Sequence, residues 1–137
     1  MNRADFQQLA EERIRDAEVL IASGRWSAAY YLAGYAVECG LKACIAKLTN
    51  QHDFPDKRRV NASYTHRVSD LIAAAELDVV WEADVSADQA LDANWQIVRE
   101  WTEEARYQQR TQAKAEGLYH AVEDNLNGVM KWIKIHW

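Results

Sequence analysis

The stretch that decides the fold is RWSAAYYLAGYAVECGLKACIAK, residues 25–47. Almost every position in it is apolar or small, and alanine and leucine are strong helix formers. A helix that is apolar nearly all round needs neighbours on several sides. We therefore expect residues 25–48 to form the central helix of the protein, surrounded by other helices.

Two charged residues, Glu38 and Lys42, stand in the middle of this apolar helix. Their i, i+4 spacing with the acid first puts both side chains on one helix face, in the better orientation for an ion pair. Burying either charge alone would be costly. The pattern favours a half-buried structural pair. The alternatives are that Glu38 and Lys42 line a ligand-binding groove, or that they belong to a narrow exposed polar stripe.

The flanking regions extend this helical pattern. Apolar residues recur at helical spacing over residues 3–22, and Gly24 is placed to end that helix. The pattern breaks over residues 49–64, which predict a surface loop, and a shorter helix is expected after Thr65.

The second half of the chain predicts two further long helices. Ser86 is the expected N-cap of the first, with Gln89 completing a capping box, and Thr111 is the expected N-cap of the last. The last helix is expected to carry a long apolar series: Leu118, Tyr119, Val122, Leu126, Val129, Met130 and Ile133. Strand signals are weak throughout. The sequence therefore predicts an all-α fold, an up-and-down bundle of four to five helices in a single domain over residues 1–137.

The composition and charge of the chain argue against several classes of function. The chain has 137 residues with a net charge of −5 and a pI of about 5.3, which argues against bulk electrostatic binding of nucleic acid but allows a local basic patch. It contains no apolar segment of ~18 residues for a membrane span, and its polar beginning lacks a secretory signal, so a cytoplasmic location is expected. Metal-ligand spacings and glycine-rich phosphate loops are also missing, so we expect no metal site and no cofactor.

Three segments, in order, resemble a known family. AAYYLAGYAVECGLKACIAK, residues 28–47, resembles the second helix of HEPN domains, the "higher eukaryotes and prokaryotes nucleotide-binding" helical bundles. YTHRVSDLIAAAEL, residues 64–77, looks like their third helix. WTEEARYQQRTQ, residues 101–112, is similar to an Arg-Tyr segment that precedes their last helix. The resemblance spans most of residues 5–135 and implies a helical bundle.

The resemblance also implies a range of functions. Many HEPN members are metal-independent RNases, or toxins paired with a small nucleotidyltransferase-type antitoxin, and others bind nucleotides or serve as interaction modules. The active ones carry an arginine, four to six further residues and then a histidine, near the start of the final long helix. Two protomers place these motifs across a shared groove. There the histidine can shuttle a proton, while the arginine stabilises charge on the scissile phosphate.

This chain departs from that motif. His120 is the first histidine after Arg106 and Arg110, and thirteen and nine residues intervene, which is too many. The spacing does occur between Arg59 and His66, which six residues separate, but that match lies in the predicted loop and at the start of the third helix. His66 is interpreted as a residue at a helix start or at the edge of the core.

The Arg-Tyr segment supplies the candidate site residues. Arg106 and Arg110 could hold a phosphate while Tyr107 stacks on a base. In the alternative interpretation, Arg106 pairs with Glu103 or Glu104 and Tyr107 packs against the bundle. Arg106 and His66 are the candidates for a catalytic role.

Three functional hypotheses follow. The preferred one is a HEPN-type module that forms a homodimer and binds a nucleotide, RNA or a partner protein without robust catalysis, as a component of a toxin–antitoxin or defence system; its candidate ligand-binding residues are Arg106, Tyr107, Arg110, Glu38 and Lys42. The second is a metal-independent endoribonuclease that uses a displaced set of Arg106, Arg110 and His66. The third is a pure interaction module that pairs with a nucleotidyltransferase.

Overall fold

The computed structural model describes residues 1–49, 53–54 and 56–137, and every regular element in these ranges is helical. The all-α prediction is thus confirmed, with eight α-helices and one 3₁₀ helix within the described residues. In chain order they are α1 (Arg3–Ala22), α2 (Trp26–Lys47), α3 (Lys57–Ala62), α4 (Val68–Ala74), α5 (Asp78–Ala87), α6 (Gln89–Val98), the 3₁₀ helix (Glu103–Tyr107), α7 (Gln112–Glu123) and α8 (Val129–His136).

Helix α2 is the centre of the structure, as predicted. It packs against α1, α4, α7, α8 and the 3₁₀ helix. Gly24, with φ of 70°, forms the turn between α1 and α2, where a side chain would strain the backbone. At Gly34 a Cβ atom would lie 2.2 Å from Cδ1 of Trp101, so only glycine lets this buried indole approach the backbone of α2.

A second apolar centre is aromatic. Trp81 of α5 lies edge-on to Trp95 of α6 and to Trp132 of α8, with ring centroids 4.8 and 4.6 Å apart. The indole N–H of Trp132 donates to Oδ2 of Asp84 at 2.8 Å. This cluster ties α5, α6 and α8 together, because edge-to-face aromatic pairs add to the stabilisation from area burial.

Two local predictions were wrong. The expected loop over residues 49–64 contains α3, because the side chain of Asp56 accepts from the backbone N–H of Arg58 at 3.0 Å and caps a helix. Residues 50–52 and 55 of that loop, including His52 and Pro55, lie outside the described residues. Ser86 is not an N-cap, since it lies inside α5. Asp88 caps α6 instead, accepting from two backbone N–H groups, those of Ala90 and Leu91, each at 3.1 Å.

The expected last helix is interrupted. Thr111 caps its start, as predicted, but the helix ends at Glu123 and a new one begins at Val129. Between them, Oδ1 of Asp124 accepts from the backbone N–H groups of Leu126 and Asn127 at 2.9 and 2.8 Å, and these bonds hold a turn. Leu126 is therefore 78% exposed instead of facing the core.

Candidate functional site

The charged pair in α2 is half-buried, as predicted: Glu38 is buried and Lys42 is partly exposed, and the two form an ion pair. Glu38 is only 2% exposed. Nζ of Lys42 donates to Oε1 of Glu38 at 2.9 Å. Because the pair is surrounded by apolar residues of α2, each charge offsets the desolvation cost of the other.

A histidine from a distant part of the chain joins this pair. Nδ1 of His66, just before α4, lies 2.9 Å from Oε1 of Glu38, and Nε2 lies 3.0 Å from Oε2 of Glu103. We call Glu38, Lys42, His66 and Glu103 the His66 cluster. No group of three potential metal ligands is found among the described residues. The contacts of the His66 cluster join α2, the start of α4 and the 3₁₀ helix.

A separate pocket opens at the amino end of α2. Its volume is about 530 Å³. Three of its lining residues are arginines and none is acidic, and we call it the arginine pocket. Its lining consists of Gly24, Arg25, Trp26, Ser27, Ala28, Tyr31, Ala105, Arg106, Gln108 and Arg110. In a protein with a net charge of −5, this concentration of positive charge favours an anionic ligand.

The surroundings of the three arginines of the pocket differ from one to the next. Within the described part of the chain, Arg25, Arg106 and Arg110 form no ion pair. The guanidinium of Arg110 lies over the ring of Tyr30, 4.7 Å from its centroid. The backbone N–H of Arg110 donates to Oγ of Ser27 at 2.8 Å, which fixes this residue to the amino end of α2.

Arg106 is held by aromatic residues. Its guanidinium lies over the ring of Tyr107, 4.8 Å from the centroid, and interaction with Tyr107 raises the pKa of Arg106 above its ordinary value. The alternative pairing with Glu103 or Glu104 is not observed, because Glu103 contacts His66. Tyr107 is 76% exposed, so it does not pack against the bundle either. Its ring stays accessible beside a charged guanidinium.

The amino end of α2 adds backbone donors to the pocket. The N-cap residue is Arg25, and no side chain caps the first turn. Ser27 and Ala28, in that first turn, line the pocket. The first N–H groups of a helix have no partner inside the helix, and the helix dipole favours negative charge at this end. Both effects support the binding of an anion there.

The structure thus separates the predicted site residues into two groups. It brings Arg106 and Arg110 together in the arginine pocket, with Tyr107 beside Arg106. It places Glu38, Lys42 and His66 in the His66 cluster, and none of these three lines the pocket.

Two further placements concern residues outside the arginine pocket. Arg59 pairs with Glu76 at 3.3 Å, so it forms no set with His66. Lys42 also lines a second pocket of about 860 Å³. The sequence analysis did not include Arg25 among the candidate residues, although its place directly before the first turn of the central helix was a usable signal.

The comparisons with known proteins agree with the helical architecture. The family model described as HEPN domain matches residues 5–134. No curated protein and no solved structure matches the chain at a significant level. Among the helices that the structure describes, none combines the length and the apolar character needed to cross a bilayer.

Proposed function

This chain belongs to the HEPN domain family, and from that premise we propose that it is a cytoplasmic, single-domain module over residues 1–137 that binds the phosphates of a nucleotide or of RNA without robust catalysis. The ligand would occupy the arginine pocket. Arg25, Arg106 and Arg110 would bind phosphate oxygens, and Tyr107 would stack on a base.

One observation carries this proposal: three arginines line one pocket, and none of them forms an ion pair with a carboxylate of the described residues. Guanidinium groups recognise phosphate with paired N–H donors, and the uncapped first turn of α2 offers backbone donors in addition.

The absence of robust catalysis is supported by the position of His66. Both of its ring nitrogens lie within hydrogen-bonding distance of carboxylates, and His66 does not line the arginine pocket. A general base needs a ring nitrogen within reach of the substrate proton. The alternative, a metal-independent endoribonuclease, predicts RNA cleavage in EDTA that is lost in Arg106→Ala and in His66→Ala.

Binding is tested with a fluorescent single-stranded oligoribonucleotide and with ATP, by anisotropy and calorimetry. Arg106→Ala combined with Arg110→Ala should weaken binding by at least about tenfold, since each change removes charge-assisted hydrogen bonds. Arg99→Ala is the matched control, because Arg99 is exposed and does not line the pocket. Unchanged affinity in the double variant, or no binding by the wild type, contradicts the proposal.

We further propose that the protein forms a homodimer and binds a nucleotidyltransferase-type partner. The pair would act in a toxin–antitoxin or defence system. The dimer is what the resemblance to HEPN domains implies. Leu126 and Ile135 are 78% and 70% exposed and line one groove, which supports a protein contact there. Light scattering after gel filtration, with Leu126→Glu as the test variant, checks the dimer. Co-purification with the product of a neighbouring gene checks the partner.

A further inference from the structure

The arginine pocket concentrates positive charge in a small volume. Arg25 precedes the first turn of α2, Arg106 lies in the 3₁₀ helix, and Arg110 lies just before α7. All three line one pocket of about 530 Å³, and none forms an ion pair with a described residue. Glu103 and Glu104, in the same 3₁₀ helix as Arg106, do not line the pocket. One small pocket thus offers three guanidinium groups to a single ligand.

Two of these guanidinium groups contact neutral side chains. That of Arg110 lies over the ring of Tyr30 and donates to Oε1 of Gln108, and that of Arg106 lies over the ring of Tyr107. These contacts orient the arginines without bringing a negative charge to them. A guanidinium has five N–H donors, so a single acceptor such as Gln108 leaves donors of Arg110 for an anion.

Phosphate ligands differ in how closely their charges lie together. An internal phosphodiester of RNA carries one negative charge, and a nucleoside separates it from the next one along the strand. A terminal phosphate carries about two at neutral pH, and each further phosphate of ADP or ATP adds about one with no nucleoside in between. A pocket of about 530 Å³ has the size for one small ligand. A chain of adjacent phosphates can therefore bring three or more negative charges into it, whereas one phosphodiester brings one.

We propose that the arginine pocket selects its ligand by the number of adjacent phosphates, and that this ligand carries a triphosphate chain instead of the internal phosphodiesters of an RNA strand. This inference rests on the proposed function of the pocket. The phosphate chain lies among the three guanidinium groups and the backbone N–H groups of the first turn of α2. Tyr107, which is 76% exposed and does not line the pocket, contacts the base at the rim.

A series of ligands with one nucleoside isolates the effect of phosphate number. Adenosine, AMP, ADP and ATP are titrated by calorimetry at pH 7.5 and constant ionic strength, in EDTA, so that no divalent cation neutralises the phosphates. Affinity should rise by roughly tenfold with each phosphate from AMP to ATP, because each one adds charge-assisted hydrogen bonds. Adenosine should bind more weakly than AMP. Equal affinity for AMP and ATP would overturn the proposal.

The matched comparison is between ADP and a tetraadenylate without terminal phosphates. Both carry about three negative charges at this pH, but those of the oligonucleotide are spread over its phosphodiesters. ADP should bind at least about tenfold more tightly. If the oligonucleotide binds as tightly as ADP, the pocket binds a strand, so this proposal is wrong and the proposed function stands. If neither ligand binds, the proposed function fails and this inference fails with it.

Two further ligands identify the source of the triphosphate chain. Inorganic tripolyphosphate should displace ATP, because the chain makes most of the contacts with the pocket. If an excess of tripolyphosphate leaves ATP bound, the pocket does not recognise the chain and the proposal is refuted. A tetraadenylate with a 5′-triphosphate should bind more tightly than ATP where the ligand is an RNA end, and less tightly where it is a free nucleotide.

Arg25→Gln tests whether the arginine pocket itself distinguishes ligands by phosphate number. Arg25 is exposed and its side chain does not cap α2, so the variant should keep its fold, which circular dichroism checks. The ratio of ATP affinity to AMP affinity should fall by roughly tenfold in Arg25→Gln. It should stay unchanged in Arg99→Gln, because Arg99 is exposed and lies outside the pocket lining. An unchanged ratio in Arg25→Gln would show that ATP binds elsewhere, which contradicts the proposal.

Discussion

The middle of α2 and its amino end differ in whether their charged side chains form ion pairs with the described residues. In the middle, Glu38 is buried, forms an ion pair with Lys42 and also contacts the ring of His66. At the amino end, Arg25 and Arg106 line an open pocket and have no carboxylate partner among the residues that the structure describes. The comparison teaches that the buried carboxylate of α2 has a partner that offsets its desolvation cost, whereas the arginines at the amino end lie where a ligand can reach them.

The two regions should therefore respond differently to mutation. Removing one partner of a buried pair leaves a charge in an apolar environment, which lowers stability strongly. Removing an exposed and unpaired arginine leaves no such penalty, so the loss should be in binding.

The largest expected effect on stability is at the buried pair. Lys42→Met leaves Glu38 with only the His66 contact and should lower the free energy of unfolding by about 3 kcal/mol, measured by urea denaturation. Glu38→Leu combined with Lys42→Met should recover much of this loss, because an apolar pair carries no desolvation penalty. A loss of less than about 1 kcal/mol in Lys42→Met would contradict the comparison. The pair would then stabilise the fold no more than an exposed salt bridge does.

A smaller effect is expected at Gly34, between the two regions. In Gly34→Ala the new Cβ would lie 2.2 Å from the indole of Trp101, and overpacking of this kind should cost about 1–3 kcal/mol. Gly117→Ala on α7 is the matched control, because no atom lies within 4 Å of its Cβ position and helix propensity should instead raise stability by up to about 1 kcal/mol. Thermal denaturation that ranks the two variants in the reverse order would refute the close packing at Gly34.

A still smaller effect on stability is expected at the amino end. Arg106→Ala should change the free energy of unfolding by no more than about 0.5 kcal/mol, because this side chain is exposed and forms no ion pair with the residues that the structure describes. Arg106→Ala should instead weaken ligand binding. The slope of log affinity against log salt concentration should also become shallower, by about one phosphate contact. Urea denaturation and anisotropy titrations at several salt concentrations measure the two quantities. Strong destabilisation would show that the arginine is structural.

The smallest expected effect is on how stability depends on pH, and it concerns His136. Burial lowers the pKa of His136, whose ring centroid lies 4.3 Å from that of Trp132. The folded state then disfavours the protonated form, so this residue reduces stability as pH falls below the ordinary histidine pKa of about 6.5. His136→Gln should lose less melting temperature than the wild type between pH 7.5 and pH 5.5. An equal or larger loss would contradict this sign.

Local patterns in the sequence predicted a good part of this structure. The bounds of α1 and α2 agree with the periodicity, and the i, i+4 spacing of Glu38 and Lys42 identified their ion pair. The interruption between α7 and α8 could not be seen in this way, because apolar spacing continues through Leu126. There a single aspartate, Asp124, provides hydrogen bonds that compete with the helix.

The sequence by itself determined the central helix and the pairing of its two charges, because both follow from residues less than two turns apart on one element. Only the tertiary structure decided that His66 bridges Glu38 to Glu103, and that Arg25 and Arg106 line one pocket beside the first turn of α2. These contacts join residues far apart in the chain. Their geometry comes from how the helices pack, which no local spacing encodes.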